Sequence, residues 1–516
     1  MNETRHIYDH LVKHLIEIKH LHSISKLFGW DSEVMMPAGA SNVRSEQLSV
    51  LAGVIYDKST DQTLGKIIYY LYNTIKTNND KNLSNVFNEF EMANIREAKI
   101  SYDKTIRITK ELAQKQSKLE INAYTVWLKA REKNDWNIFV PALNEWIKIK
   151  KEICTNIDPN KPVYDTCIDE YDRGMTTDRL TKIFDELKPH VIDLVSKIKG
   201  KEQIDDSWLT EGKFNIDLQK KFNQKVAFDL GFDKNYGRLD TSVHPMCTGI
   251  DCTDVRITTK YSESNLLFAF TSTTHETGHA LYEQNLNKKY CDLPVSLPLS
   301  MGMSESQSLL YERMVGLSEN FLNFYYPELQ KIFNLSRVPF ERDRVPRDFY
   351  KSCNVVKPGL IRIKADELTY ILHVIIRFEI ERDMFDGTIE PSDVPSVWKQ
   401  KMYQYLGIHV PNDKSGPLQD IHWAYGYFGY FPVYVLGAIY ACQIYYSAKK
   451  EIFNLDEKIS MGDFIPLKEW LTTNIYQKGS LKETSEQLLL DVTGEKINIS
   501  LFVNYLRMKY SDIYNL

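Results

Sequence analysis

Cysteine is scarce in this chain. The seven residues (Cys154, Cys167, Cys247, Cys252, Cys291, Cys353 and Cys442) are odd in number, scattered, and form no C-x-x-C pair, which argues against a disulfide framework and a structural zinc ribbon. An excess of one charge is lacking too. The 64 basic and 69 acidic side chains leave a net charge of −5, too mild to recruit nucleic acid or an anionic membrane surface. The opening residues MNETRHIYDHLVKHL have no signal-like apolar core. Together these absences give the expectation of a reduced, cytoplasmic compartment.

Linkers rich in Pro, Gly or Ser, low-complexity tracts and internal repeats are also missing, so residues 1–516 are expected to form a single unit. One stretch, Trp423 to Ala448, carries no Asp, Glu, Lys or Arg and is long enough to cross a membrane. It holds seven tyrosines, three glycines, a proline and a glutamine, a composition that fits a buried helix with tyrosine hydroxyls on polar partners.

What the chain does have is helical spacing. Leu11, Leu15, Ile18, Leu21 (or His22) and Leu27 recur at three- to four-residue steps. Further helices are predicted at about 85–135 and 137–157, and one opened by Thr176 or Thr177 and closed by Gly200. Strand signals are few. The best is Thr253 to Tyr261, TDVRITTKY, with a neighbour from about Arg238 to His244. The fold class that follows is mostly α with one small sheet.

Within the predicted helix Tyr261 to Asn285, capped by Ser262 or Ser264, lies H-E-x-x-H: His275, Glu276 and His279. Histidines four apart share a helix face, so two neutral imidazoles can take adjacent corners of one metal ion. Glu276 points elsewhere, suited to accepting a proton from water at an open corner. The bland alternative is a helix whose histidines are solvated or packed in the core. A hydrolytic metal site needs a third ligand, and Glu283, Glu305 and Glu312 are the candidates. Glu283 lies too far along the same helix. Glu305 sits on a following helix that can fold back beside the first, and Glu312, on the same face, suits support of a histidine N–H or an ordinary salt bridge. Asp254, Arg256 and Thr258 alternate along the strand and share one face, fitting either a strand that holds an extended peptide or a cross-strand ion pair.

HETGH with Glu305 in ESQ, the DVRIT strand, IRIKAD (Ile361 to Asp366) and GPLQDIHW (Gly416 to Trp423) together resemble the thermostable carboxypeptidase (carboxypeptidase Taq) family of metallocarboxypeptidases, in the family's own order. GWDSEVMMPAGASNVRSEQLSVLAG and FGYFPVYVLGAIYA extend the likeness over nearly the whole chain. The resemblance implies a large helical, zincin-like body with a small β-sheet beside the active-site helix and a deep substrate groove. An N-terminal helical part of about 1–175 would cover that groove, with a catalytic part at about 176–516. It implies a homodimer that removes single residues from the free C-termini of peptides. It matches His275, His279 and Glu305 to the metal ligands and Glu276 to the general base. Two departures stand out: Ser304 replaces the histidine that usually opens H-E-S/G-Q, and HPM (His244 to Met246) replaces HPF.

The chemistry asks for more groups. The N/N/O ligand set points to Zn2+, with Co2+ or Mn2+ as substitutes. An oxyanion partner would come from His422, Tyr430 or Tyr434. A terminal carboxylate suits an arginine fork, with Arg362 the first choice and Arg256 the second. Arg362 and Asp366 could instead be an i, i+4 pair lacing a helix surface. A metalloendopeptidase or oligopeptidase, or a peptide-binding scaffold without activity, are the competing functions.

Overall fold

The computed structural model describes residues 2–77, 86–333, 335 and 345–516. The N-terminal spacing becomes helix α1 (Asn2–Val34), which buries Leu11 and Leu15. The long helical stretch expected at 85–135 is two helices, Glu89–Arg107 and Lys110–Lys133. The break falls at Thr109, whose hydroxyl accepts the Leu112 N–H at 3.2 Å and so caps the second helix. The next helix, Val140–Ile157, matches its expectation closely. Helix α2 (Thr177–Lys199) is capped by Thr176 and followed by Gly200.

Three strands follow: β1 (Gly237–Thr241), β2 (Met246–Asp251) and β3 (Asp254–Thr259), in the sheet order β1-β3-β2. β1 runs parallel to β3, with Gly237 opposite Val255 and Thr241 opposite Thr259. β2 is antiparallel to β3 and irregular between Gly249 and Asp251. Sequence reasoning missed β2, because MCTGID neither alternates nor avoids glycine. Its presence corrects one expectation. β3 is the central strand, so both edges of its backbone are already paired and it is not free to take up an extended peptide. The fully buried Val255 and Ile257 form a small apolar cluster with Ala227, Phe232 and Ala280.

Helix α3 (Leu266–Gln284) begins later than expected. Its cap is Asn265, whose side-chain oxygen accepts the Phe268 N–H at 2.9 Å, whereas the hydroxyls of Ser262 and Ser264 bond to one another at 3.2 Å in the turn before it. Helix α4 (Met301–Leu309), capped by Ser300, continues without a break into a π-helical turn, Leu310–Gly316. Such widened turns cluster at functional sites because they re-aim side chains. Helix α5 (Glu367–Asp386) is capped by Asp366, and helix α6 (Pro432–Glu451) takes up most of the uncharged stretch. α6 is almost wholly buried, and Tyr440 on it donates to Asp172 at 3.3 Å. Among the described residues no helix is long and apolar enough to cross a membrane.

The main core draws on residues from Leu112 to Tyr514. A smaller cluster gathers Tyr8, Leu11, Leu64 and Tyr102 from the N-terminal helices with Phe87 between two of them, and is closed by Tyr290, Leu293 and Val295 from the segment after α3.

Candidate metal centre

Two glycines let three helices meet at one place. A Cβ on Gly278 of α3 would lie 2.5 Å from the Gln307 carbonyl oxygen and 2.6 Å from the Ser308 Cα of α4. A Cβ on Gly437 of α6 would lie 2.9 Å from both Cβ and Cγ of Glu305. Neither contact is possible for a real side chain, so α3 approaches α4 backbone to backbone, and α6 presses on Glu305 from behind.

The result is convergence. His275, His279 and Glu305 each offer one ligand atom, all within 4.8 Å of one another. His275 Nε2 is 3.8 Å from Glu305 Oε1, and His279 Nε2 is 3.6 Å from Oε2. Each imidazole is held at its other nitrogen. The His275 Nδ1–H donates to Glu312 Oε2 at 2.7 Å, and His279 Nδ1 shares a hydrogen bond with Ser304 Oγ at 3.0 Å. Those bonds orient the two rings, and both Nε2 atoms face Glu305. Ser304, read in the sequence as a departure, therefore orients one ring directly. Glu283 is elsewhere, packed against Gly249 of β2.

Glu276 is 6% exposed and lies beside this cluster. Burial pushes its carboxyl up to about 7; the neighbouring His275 opposes the rise, and Glu305 and Glu312 add to it. Burial also opposes charging of His275, yet Glu305 and Glu312 push it up to about 10. Burial and the charge on His275 hold His279 well below its usual range. Three carboxylates in one buried place attract positive charge so strongly that an imidazole becomes basic. A divalent cation answers that demand with the donors already in position, so the residues present fit a metal.

The remaining candidates divide between a network around Arg362 and the strand β3. Arg362 is not paired with Asp366 along a helix surface, as one expectation had it. It lies in a short 3-10 turn (Arg362–Lys364), while Asp366 caps α5 by accepting the Leu368 and Thr369 N–H groups. Arg362 Nε and Nη2 donate to Asp420 Oδ1 at 3.0 and 2.9 Å, and Nη1 donates to Tyr370 Oη at 2.8 Å. Its guanidinium stands 5.0 Å from the Tyr434 ring centroid. Asp420 also takes Arg377 at 2.6 Å, and the backbone N–H of Arg362 donates to Gln419 at 2.8 Å. The QD of QDIHW thus holds the arginine of IRIKAD at both ends. Sequence reasoning missed Asp420, Tyr370 and Arg377 because their roles depend on segments that meet only in three dimensions.

His422 stacks on Phe431 at 4.3 Å and lies 3.3 Å, Nε2 to Oη, from Tyr434. Burial, with Arg362 and Arg377 beside it, pushes His422 down to about 3, so it is neutral. Tyr430 and Tyr434 pack edge to face at 5.5 Å, and both feel the charge of Glu305. Arg256 is further from the cluster's chemistry. It forks onto Asp254 of its own strand at 2.8 and 2.9 Å and lies over the Trp30 ring of α1 at 4.2 Å. The ion pair is thus within one strand, not across two. Thr258, from the same face, is buried and accepts the Met246 N–H at 3.1 Å. His244 is exposed.

The chain is similar to known proteins over nearly its whole length. The family model described as carboxypeptidase Taq (M32) metallopeptidase matches residues 10–510. Carboxypeptidase 1 of Bacillus subtilis (strain 168) is 35% identical over 500 residues, covering 97% of each chain. The crystal structure of the M32 carboxypeptidase from Deinococcus radiodurans R1 superposes with a TM-score of 0.93 at 32% identity, covering 99% of this chain and 100% of that one. Trypanosoma cruzi metallocarboxypeptidase 1 gives 0.90 at 33% identity, covering 98% and 99%. With its motifs, its helical body and its length all matched, the chain belongs to the carboxypeptidase Taq (M32) family of metallocarboxypeptidases, which are peptide-bond hydrolases that use a divalent metal.

Proposed function

We propose that this enzyme is a zinc carboxypeptidase that removes single residues from the free C-terminus of peptides, with His275, His279 and Glu305 as ligands and Glu276 as general base. The observation that carries it is the convergence of two oriented imidazoles and one carboxylate beside a second, buried carboxylate. When bound, the metal supplies Lewis-acid polarisation and acidifies water. Glu276 takes the proton from the attacking water and passes it to the leaving amine. Glu312 and Ser304 keep the two rings oriented throughout. Tyr434, backed by neutral His422, donates to the developing oxyanion. Arg362 is held rigid by Asp420 and Tyr370 and supplies the positive charge that attracts a terminal carboxylate. Zinc suits the N/N/O donors, and cobalt or manganese would substitute.

The partners in this reading are peptides with a free C-terminus and a second copy of the chain, in a reducing, cytoplasmic setting. All seven cysteines are free thiols, which suits that compartment. Matched peptides with free and amidated C-termini, followed by mass, test the reading. Stepwise loss from the free form alone is expected; internal fragments from both would establish an endopeptidase instead. Glu276→Gln should retain the metal and lose roughly 10²–10⁴-fold in kcat. Undiminished turnover in that variant would remove Glu276 from the mechanism.

A further inference from the structure

Among the described residues, only two groups of His, Cys, Asp or Glu bring three ligand atoms within 4.8 Å of one another. One is the centre described above. The other is Asp251, Cys252 and Cys291. Asp251 ends β2, Cys252 lies in the turn that leads to β3, and Cys291 comes from the loop that follows α3. We propose that these three residues form a second metal site, built for a thiophilic divalent cation such as Zn2+.

The donor set is the first argument. Two sulfurs and one carboxylate oxygen are the ligands that a borderline-soft ion selects, and none of the three is shared with the catalytic cluster. Tetrahedral Zn–S bonds of about 2.3 Å place two sulfurs about 3.8 Å apart, which is compatible with ligand atoms that already lie within 4.8 Å of one another. The turn is hydrogen-bonded to the Asp251 side chain. Asp251 Oδ1 accepts the Thr253 N–H at 3.0 Å and its hydroxyl at 2.7 Å, which leaves the other carboxylate oxygen to the cluster.

Charge is the second argument. Two thiolates and a carboxylate around a dication leave one negative charge. Lys19 of α1 stands 3.6 Å from Asp251 Oδ2 and supplies the matching positive one, while its ammonium donates to the Ile250 carbonyl at 3.1 Å and to Ser23 at 3.0 Å. Access is the third. Cys252 is buried, but Asp251 and Cys291 are half-buried, so an ion can enter and water can complete its shell. The other close thiol pair provides a contrast. Cys154 and Cys167, buried and 3.5 Å apart, have no third ligand atom within reach among the described residues.

Each thiol releases its proton to solvent as its sulfur binds. The ion would tie the β2–β3 turn to the loop after α3, whose Tyr290 stacks on Phe90 of the N-terminal layer at 5.0 Å. Its role is therefore structural: it fixes the sheet beside the catalytic helix.

The test uses the full-length protein, stripped of metal under reducing conditions and titrated with Co2+. The catalytic cluster contains no sulfur, so a sulfur-to-cobalt charge-transfer band reports this site alone. The wild type should take up a second equivalent and develop the band. Cys252→Ser and Cys291→Ser should each lose the band and that equivalent, while peptide hydrolysis and the first equivalent persist. Zn2+ should also slow thiol alkylation of both cysteines in the wild type by tenfold or more. Three results would overturn the proposal: a single equivalent without the band, a band that survives in the double variant, or closure of Cys252 and Cys291 to a disulfide under saturating Zn2+. Failure of the carboxypeptidase reading would show instead in the hydrolysis assay, with this band untouched.

Discussion

Ser304 illustrates how much a single side chain decides here. The resemblance marked it as a departure from histidine. In the fold its hydroxyl is 3.0 Å from His279 Nδ1, the position from which a neighbour sets the ring angle. Ser304→Ala should weaken metal retention by roughly 10–100-fold in competition with a chelator, because the ring is then free to turn. The same affinity as wild type would mean that packing alone holds His279. Arg362 was legible as a charged group of interest but not as a partner of Asp420. Sequence spacing offered Asp366, four residues on, and the turn that carries Arg362 aims it at a residue 58 positions away instead.

The meeting of helices turns on residues with no side chain. HETGH was read for its histidines and glutamate, yet Gly278 within it is what lets α4 bring Glu305 close. Gly437 does the same from the opposite side. Alanine at 437 would gain about 1 kcal/mol of helix propensity, but overpacking costs about 1–3 kcal/mol. The Glu305 backbone carbon lies 3.2 Å from the new methyl and cannot swing aside, so the clash should win. Gly437→Ala should therefore lower the urea midpoint and, by displacing Glu305, reduce metal retention as well. A stabilised variant with full metal content would show that α6 slides without cost. Helix and strand positions were largely legible because periodicity reports burial locally. Caps and the extra strand were less so: Asn265 rather than Ser262 or Ser264 begins α3, and β2 pairs through backbone that its side chains do not advertise.

Across the whole molecule, buried ionisable groups set the response to acid. His373 on α5 is fully buried, 3.0 Å, Nε2 to oxygen, from the Gly359 carbonyl. Burial, together with Arg377 and Arg362 and against the pull of Asp420, lowers it from its ordinary 6.5 to about 3. Between those two values the unfolded chain binds a proton that the folded one refuses, so stability falls as pH drops through the window. His373→Gln should flatten that part of the melting-temperature profile, even if it lowers stability at neutral pH. An unchanged slope from pH 6.5 downward would assign the acid limb to other groups.

The sequence by itself determined the helical body, the H-E-x-x-H motif and the family, because periodicity, i, i+4 spacing and ordered motifs are local properties of the chain. Tertiary structure alone decided what orients each ring and which acid holds Arg362. Those choices depend on helix approach distances and on contacts between segments far apart in sequence. A glycine at a crossing point settles them, and no single window of residues contains both sides of the crossing.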